Sequence, residues 1–137
     1  SDSDLVAQSQ QQADAIINQN PDLAGMWAPW DVPAEGVMAA ARSAGRNDLK
    51  ITTIDLGESV GVAMAQNQLI SGTSAQRPYD QGVTEAKIAA GARVLGKTYP
   101  TYVALSALPV TRTNLKEAWS EVYHSDLPSN IADLMKN

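Results

Sequence analysis

Residues 51–57, Ile-Thr-Thr-Ile-Asp-Leu-Gly, constrain this chain more than any other stretch. A short β-branched run suits a pleated strand, and here it ends on a carboxylate and turns at glycine. Strands buried in parallel sheets read as near-continuous runs of this kind. In open α/β sheets, ligands sit just beyond the carboxyl ends of such strands. Asp55 therefore occupies the place where an α/β protein binds or reacts. A sugar contact, a metal ligand, a phosphoryl acceptor and a simple helix cap all fit that place.

Proline, glycine and asparagine divide the rest of the chain. A helix over residues 5–20, with Asp4 as its N-cap, stops at Asn20-Pro21-Asp22. Residues 23–28 read as a short buried strand with Trp27 in the core, left through Pro29-Trp30-Asp31. Asp31 caps a helix over 33–43, with Pro33 early, Glu35 in its first turn and Gly45 behind its end. Strands follow at 50–54 and 69–75, with a helix at 58–67 between them. A long amphipathic helix covers 79–95 and Gly96 closes it. Residues 99–110 read as mostly extended, a last helix begins at 113, and the tail from Ser125 reads as loosely ordered. Alternating strands and helices with short loops predict an α/β three-layer sandwich around a mainly parallel sheet. Three strands and an extended tail are fewer than such a domain usually has, and the chain opens on a helix. An incomplete part of a larger domain is expected.

Composition removes several kinds of function. The chain has 137 residues, 44% hydrophobic and 18% charged, which fits one globular domain with a real core. Its net charge is −5 and its Lys and Arg are scattered, so a nucleic-acid surface is not expected. It has no cysteine, which excludes disulfides and thiolate metal sites. Asp31, Glu35 and Asp55 offer oxygens, but no EF-hand or histidine pair accompanies them. No phosphate-cradling glycine loop occurs, and no cofactor or catalytic role is expected. No run reaches the roughly 20 apolar residues of a membrane helix. The acidic start Ser1-Asp-Ser-Asp4 is no signal peptide, so any targeting segment would lie outside this chain. Trp119 reads as packing and the sole histidine, His124, as surface. Arg77 is expected to pair with Asp80, and Trp30 is either a core plug or a stacking platform.

Four loop motifs in order carry a family resemblance. Asn20-Pro21-Asp22 ends a helix, Trp30-Asp31 opens the next, and that helix runs to Ala44-Gly45-Arg46. Asp55-Leu56-Gly57 ends a strand, and Gln76-Arg77-Pro78 leads to Gly82. Over about residues 4–120 this order resembles the C-terminal half of periplasmic sugar-binding proteins of the ribose/galactose-binding type. The resemblance implies one incomplete lobe of a type I periplasmic binding protein, working without catalysis in an ABC transporter. It implies a periplasmic location, a sugar or polyol ligand, a membrane permease as partner, and closure of two lobes about a hinge. The same fold serves as the ligand core of sugar-responsive LacI-type regulators, which is the second reading. A receiver-type phosphoacceptor is the third; it lacks the acidic pair that chemistry needs.

Carried over by position, Asp55 is a carboxylate that accepts from sugar hydroxyls and Gln76 an amide at the hinge. Trp30 stands where the family has a ligand-binding asparagine, and Asp31 lies beside it. An indole offers a flat face and one N–H donor in place of an amide that both donates and accepts. The implied division is a ligand-binding lobe over 1–76 lacking its first strand, and a segment over 77–105 packing on the absent N-terminal lobe. Residues 106–137 form a return crossover with a C-terminal helix and tail. Without its partner lobe, the helix over 79–95 would expose Val83, Ala86, Ala90 and Val94, and the chain is expected to self-associate through it or fold it back.

Overall fold

The computed structural model describes residues 1–136. Its elements run α1 (Asp2–Gln19), β1 (Gly25–Trp27), α2 (Asp31–Ser43), β2 (Lys50–Ile54), α3 (Glu58–Ala65), β3 (Ile70–Ala75), α4 (Pro78–Leu95), β4 (Leu108–Val110), a 3-10 turn (Arg112–Asn114), α5 (Leu115–Tyr123) and α6 (Ser129–Leu134). The sheet order is β1-β2-β3-β4. The first two pairings are parallel and β4 returns antiparallel to β3. The expected mainly parallel α/β sheet is therefore present, with a fourth strand made from the last three residues of the stretch expected to be extended.

Side chains alternate across the sheet rather than being buried on both faces. In β2, Ile51 and Thr53 are buried while Lys50 and Thr52 are exposed. In β3, Ile70, Thr73 and Ala75 are buried while Ser71 and Ser74 are exposed. Threonine tolerates either side because its β-branched shape suits the pleat and its hydroxyl suits water. Trp27, expected in the core, is 63% exposed. Its register partner is the exposed Thr52, so both side chains stand on the uncovered face.

The covered face carries one core built from α2, α3, α5 and the strands, with Leu49, Ile51, Leu56, Met64 and Leu115 fully buried. α1 packs on α2, and the two backbones meet at Gly36, where an added Cβ would lie 2.7 Å from the Gln10 amide nitrogen. Only glycine permits that approach. The α1 cap differs from expectation: Ser1 is the N-cap and Asp4 its capping-box partner at N3.

The tail is likewise more ordered than its polar composition suggests. α6 packs on α3 and buries Ile131 completely, against Trp119 and Gly61. One fully buried residue in a six-residue helix gives no periodicity to read, yet it fills a defined hole. Ile131→Ala is expected to cost about 2–5 kcal/mol of unfolding free energy, read by urea denaturation. A loss below roughly 0.5 kcal/mol, the level of an ordinary surface change, would show that the tail does not pack.

Candidate functional site

β2 and β3 end level with each other, Ile54 opposite Ser74. The chain then turns outward at Asp55 and Gln76, as expected for the carboxyl edge of a parallel pair. Asp55 has φ 69°, the left-handed region, which an aspartate enters only at a cost. Its turn is held twice from β3. The Asp55 N–H donates to the Ser74 carbonyl at 3.1 Å. The Thr73 hydroxyl, buried, lies 2.6 Å from the Asp55 carbonyl and 3.1 Å from that of Thr53. Asp55 does not cap α3; Gly57 holds that position.

Asp31 begins α2, whose N-cap residue is Trp30, not Asp31 as expected. Its Oδ1 accepts the Val32 N–H at 3.0 Å, and the carboxylate lies against Gly57. Gln76 follows β3 directly and is exposed, and Pro78 starts α4 at a position where a missing N–H costs nothing. The expected Arg77–Asp80 pair forms at 2.7 Å. Asp80 also faces His124 Nε2 at 3.3 Å, and the His124 ring stacks on Tyr79 with centroids 4.0 Å apart. His124 is thus a surface residue with a job: it ties the end of α5 to the start of α4.

These pieces enclose a cavity of about 300 Å³ lined by Asp31, Asp55, Leu56, Gln76, Pro78, Gln81 and Tyr123. Three of the four sequence-derived candidates meet there. Trp30 does not: it lines a separate cavity of about 310 Å³ beside α1, with Leu5, Ile16, Met26 and Trp27. Gln81 and Tyr123 were absent from the sequence reading. Gln81 had a usable signal, since Pro78 at the first helical position fixes it in the first turn of α4. Tyr123 had none, because only tertiary packing brings the end of α5 to this rim.

Electrostatically the cavity is acidic. Burial raises the Asp31 pKa, and the neighbouring Asp55 and Glu35 carboxylates add to the rise, while the Val32 N–H works against it. Glu35 accepts from the Ser59 hydroxyl at 2.7 Å. Carboxylates and amides together make a wall that accepts from hydroxyls and, through the amides, donates to them.

Residues 1–98 match the family model of the periplasmic binding protein domain. Among solved structures, a solute-binding protein of an ABC transporter from Agrobacterium vitis with bound allitol is 27% identical, with TM-score 0.71, covering 82% of this chain and 40% of its own. A second from the same organism, bound with α-D-tagatopyranose, gives 24% identity and TM-score 0.77, covering 86% of this chain and 40% of its own. One from Actinobacillus succinogenes with bound D-allose gives 19% identity and TM-score 0.76, covering 82% of this chain and 39% of its own. The chain thus spans about 40% of the length of such structures. No curated protein matches it.

The raised Asp31 pKa carries a definite sign. A carboxyl that holds its proton more tightly when folded adds stability below its ordinary pKa, and that stability is lost as pH rises through the raised folded value. Asp31→Asn removes the buried charge, so it is expected to raise the melting temperature at pH 7. The gain should shrink on acidification and vanish below about the ordinary value of 3.8. A thermal-melt series from pH 3 to 7 with a constant difference between the two proteins would contradict this assignment.

Proposed function

The chain belongs to the periplasmic binding protein domain family, and on that premise we propose that it forms one wall of a cleft that binds a sugar or polyol for an ABC transporter. The observation that carries the reading is the left-handed Asp55, whose carboxylate faces the same cavity as Asp31, Gln76 and Gln81. Strained backbone at a strand end is maintained where a side chain must be aimed, and otherwise glycine is the cheaper residue. Polyhydroxyl ligands suit the wall because each carboxylate oxygen accepts a hydroxyl proton and each amide supplies the reverse polarity. The allitol, tagatose and allose bound by similar proteins are of this class.

Binding, not catalysis, is the role this family implies, with an extracytoplasmic location and a membrane permease as the partner. Residues 1–76 supply most of the ligand wall, 77–105 dock on a second lobe while Gln81 reaches the cavity, and 106–136 return to complete this lobe and add Tyr123. Ligand enters between the lobes and closure about the Gln76–Pro78 segment buries it. The site's polar groups then reject analogues that lack the matching hydroxyl, because they would be left unpaired.

The test is a thermal-shift screen with allitol, D-allose and D-tagatose on a two-lobed protein carrying this chain. At least one should raise the melting temperature. Asp55→Gly and Gln76→Ala should weaken affinity by roughly 10–100-fold, the scale of losing a charge-assisted hydrogen bond or leaving a buried partner unpaired. Asp55→Gly should keep unfolding free energy within about 1 kcal/mol of wild type, since relief of left-handed strain offsets the added freedom of the unfolded chain. A shift with a nucleotide alone, or full affinity in Asp55→Gly, would sink the reading.

The docking role of 77–105 has its own check. Ala86 and Ala90 are exposed and Val94 is 76% exposed on α4, with Tyr102 81% exposed on the segment after it. The 137-residue chain alone is expected to self-associate through α4, with a dimer appearing in sedimentation as concentration rises. Val94→Glu should restore the monomer. A monomer for wild type at every concentration would remove the docking role.

A further inference from the structure

Tyr123 is the last residue of α5 and is half-buried. Its hydroxyl donates to the Leu56 carbonyl at 2.6 Å, a contact between residues 67 positions apart in sequence. Leu56 lies between Asp55 and Gly57 in the turn that leaves β2, and its side chain is anchored in the core at 1% exposure. The turn is therefore fixed on both sides. Thr73 holds the Asp55 carbonyl from β3, and Tyr123 holds the next carbonyl from α5. The Tyr123 ring also lines the cavity itself.

The tyrosine is held in turn. Its ring leans on Trp119, with centroids 4.7 Å apart and planes tilted 44°. The next residue, His124, leaves the helix with φ 52° and is pinned by Tyr79 and Asp80 of α4. Burial, then the charges of Asp31 and Asp55, push the phenol pKa upward. The hydroxyl accordingly stays neutral and remains a donor.

We propose that Tyr123 is a positioning residue of the ligand wall: its phenol fixes the Leu56 carbonyl, and so the aim of the Asp55 carboxylate, while its ring forms the aromatic side of the cavity. This rests on the reading of the cavity as a polyol site. It also gives the aromatic contact, expected at Trp30, to a residue in a different element. The phenol's lone pairs, with its proton committed to Leu56, can still accept a ligand hydroxyl. The ring face suits the C–H side of a sugar ring.

Two readouts keep this proposal separate from the binding reading. The first needs no ligand: amide hydrogen exchange on the 137-residue chain. Tyr123→Phe keeps the ring and removes the donor. The Asp55 and Leu56 amides should then exchange roughly 5–10-fold faster, the effect of losing one hydrogen bond of ordinary strength. The Ile51 amide, bonded to the Leu69 carbonyl at 2.8 Å, should be unchanged. A purely structural phenol would alter both regions together or neither, and either result overturns the proposal. The second readout is allitol or D-allose affinity in a two-lobed protein that binds it. There Tyr123→Phe should lose about 5–10-fold and Tyr123→Leu, which also removes the ring, more. Equal affinity in all three proteins would overturn the proposal while leaving the polyol reading intact. Failure of every polyol to bind wild type would remove that reading, and exchange at Asp55 would still decide whether Tyr123 holds the turn.

Discussion

The buried Thr73 hydroxyl is the contact on which the Asp55 turn depends. It joins the end of β3 to the carbonyl of Asp55, where the chain has already left β2. A left-handed aspartate costs on the order of 1–3 kcal/mol and persists only when its surroundings over-determine it. Here the surroundings are a parallel register that sets Ile54 level with Ser74, and the Asp55 N–H bond to Ser74. Serine at 73 would keep the bond with less packing. Valine would keep the packing and leave the Asp55 carbonyl to water. Register, rotamer and hydroxyl act together, and the direction of one carboxylate is the result.

That direction brings the Asp55 carboxylate close enough to Asp31 to resist its charge. The rise of the Asp31 pKa, led by burial, is a standing cost that protein donors could have relieved. Asp31 accepts only from backbone N–H groups among the described residues, that of Val32 and its own. A wall so built attracts ligands that bring protons to share, and it repels phosphates and carboxylates. The chain's net charge of −5 works in the same sense. Neutral polyols satisfy both conditions, because their hydroxyls donate to the acids and accept from the glutamine amides.

Much of this was legible from residues that punctuate the chain. Asn20-Pro21, Pro33, Gly45, Pro78 and Gly96 bound the helices because each acts through its own backbone chemistry, which no tertiary context reverses. Asp55 could be placed at a strand end because that is a local feature with a fixed geometric consequence, whereas Gln76 carries no signal of its own and entered through the family resemblance. Trp27 was misplaced because three-residue β1 is too short to reveal which face is covered. α6 was missed because a single buried isoleucine leaves no period. Trp30 was expected beside the ligand from position alone, yet the start of α2 turns it toward α1. Tyr123 was invisible because its partner, Leu56, is far away in the chain and is met through a backbone carbonyl, which no side-chain pattern can encode.

α4 shows the opposite balance between local and tertiary forces. Of its 18 residues only Gly91 is buried, beneath the ring of Tyr99. Most helical stability in proteins comes from packing of one face, which α4 largely lacks. α4 has Pro78 at its start, Asp80 in its first turn, Arg93 in its last and a left-handed Gly96 behind it, so both ends and the dipole are served locally. Its start is clamped to α5 through Arg77, Asp80 and His124. The helix is therefore supported from its own two ends, with Ala86, Ala90 and Val94 exposed along it. The same clamp ends at Tyr123, one residue from His124, so the start of α4 is joined through α5 to the rim of the cavity.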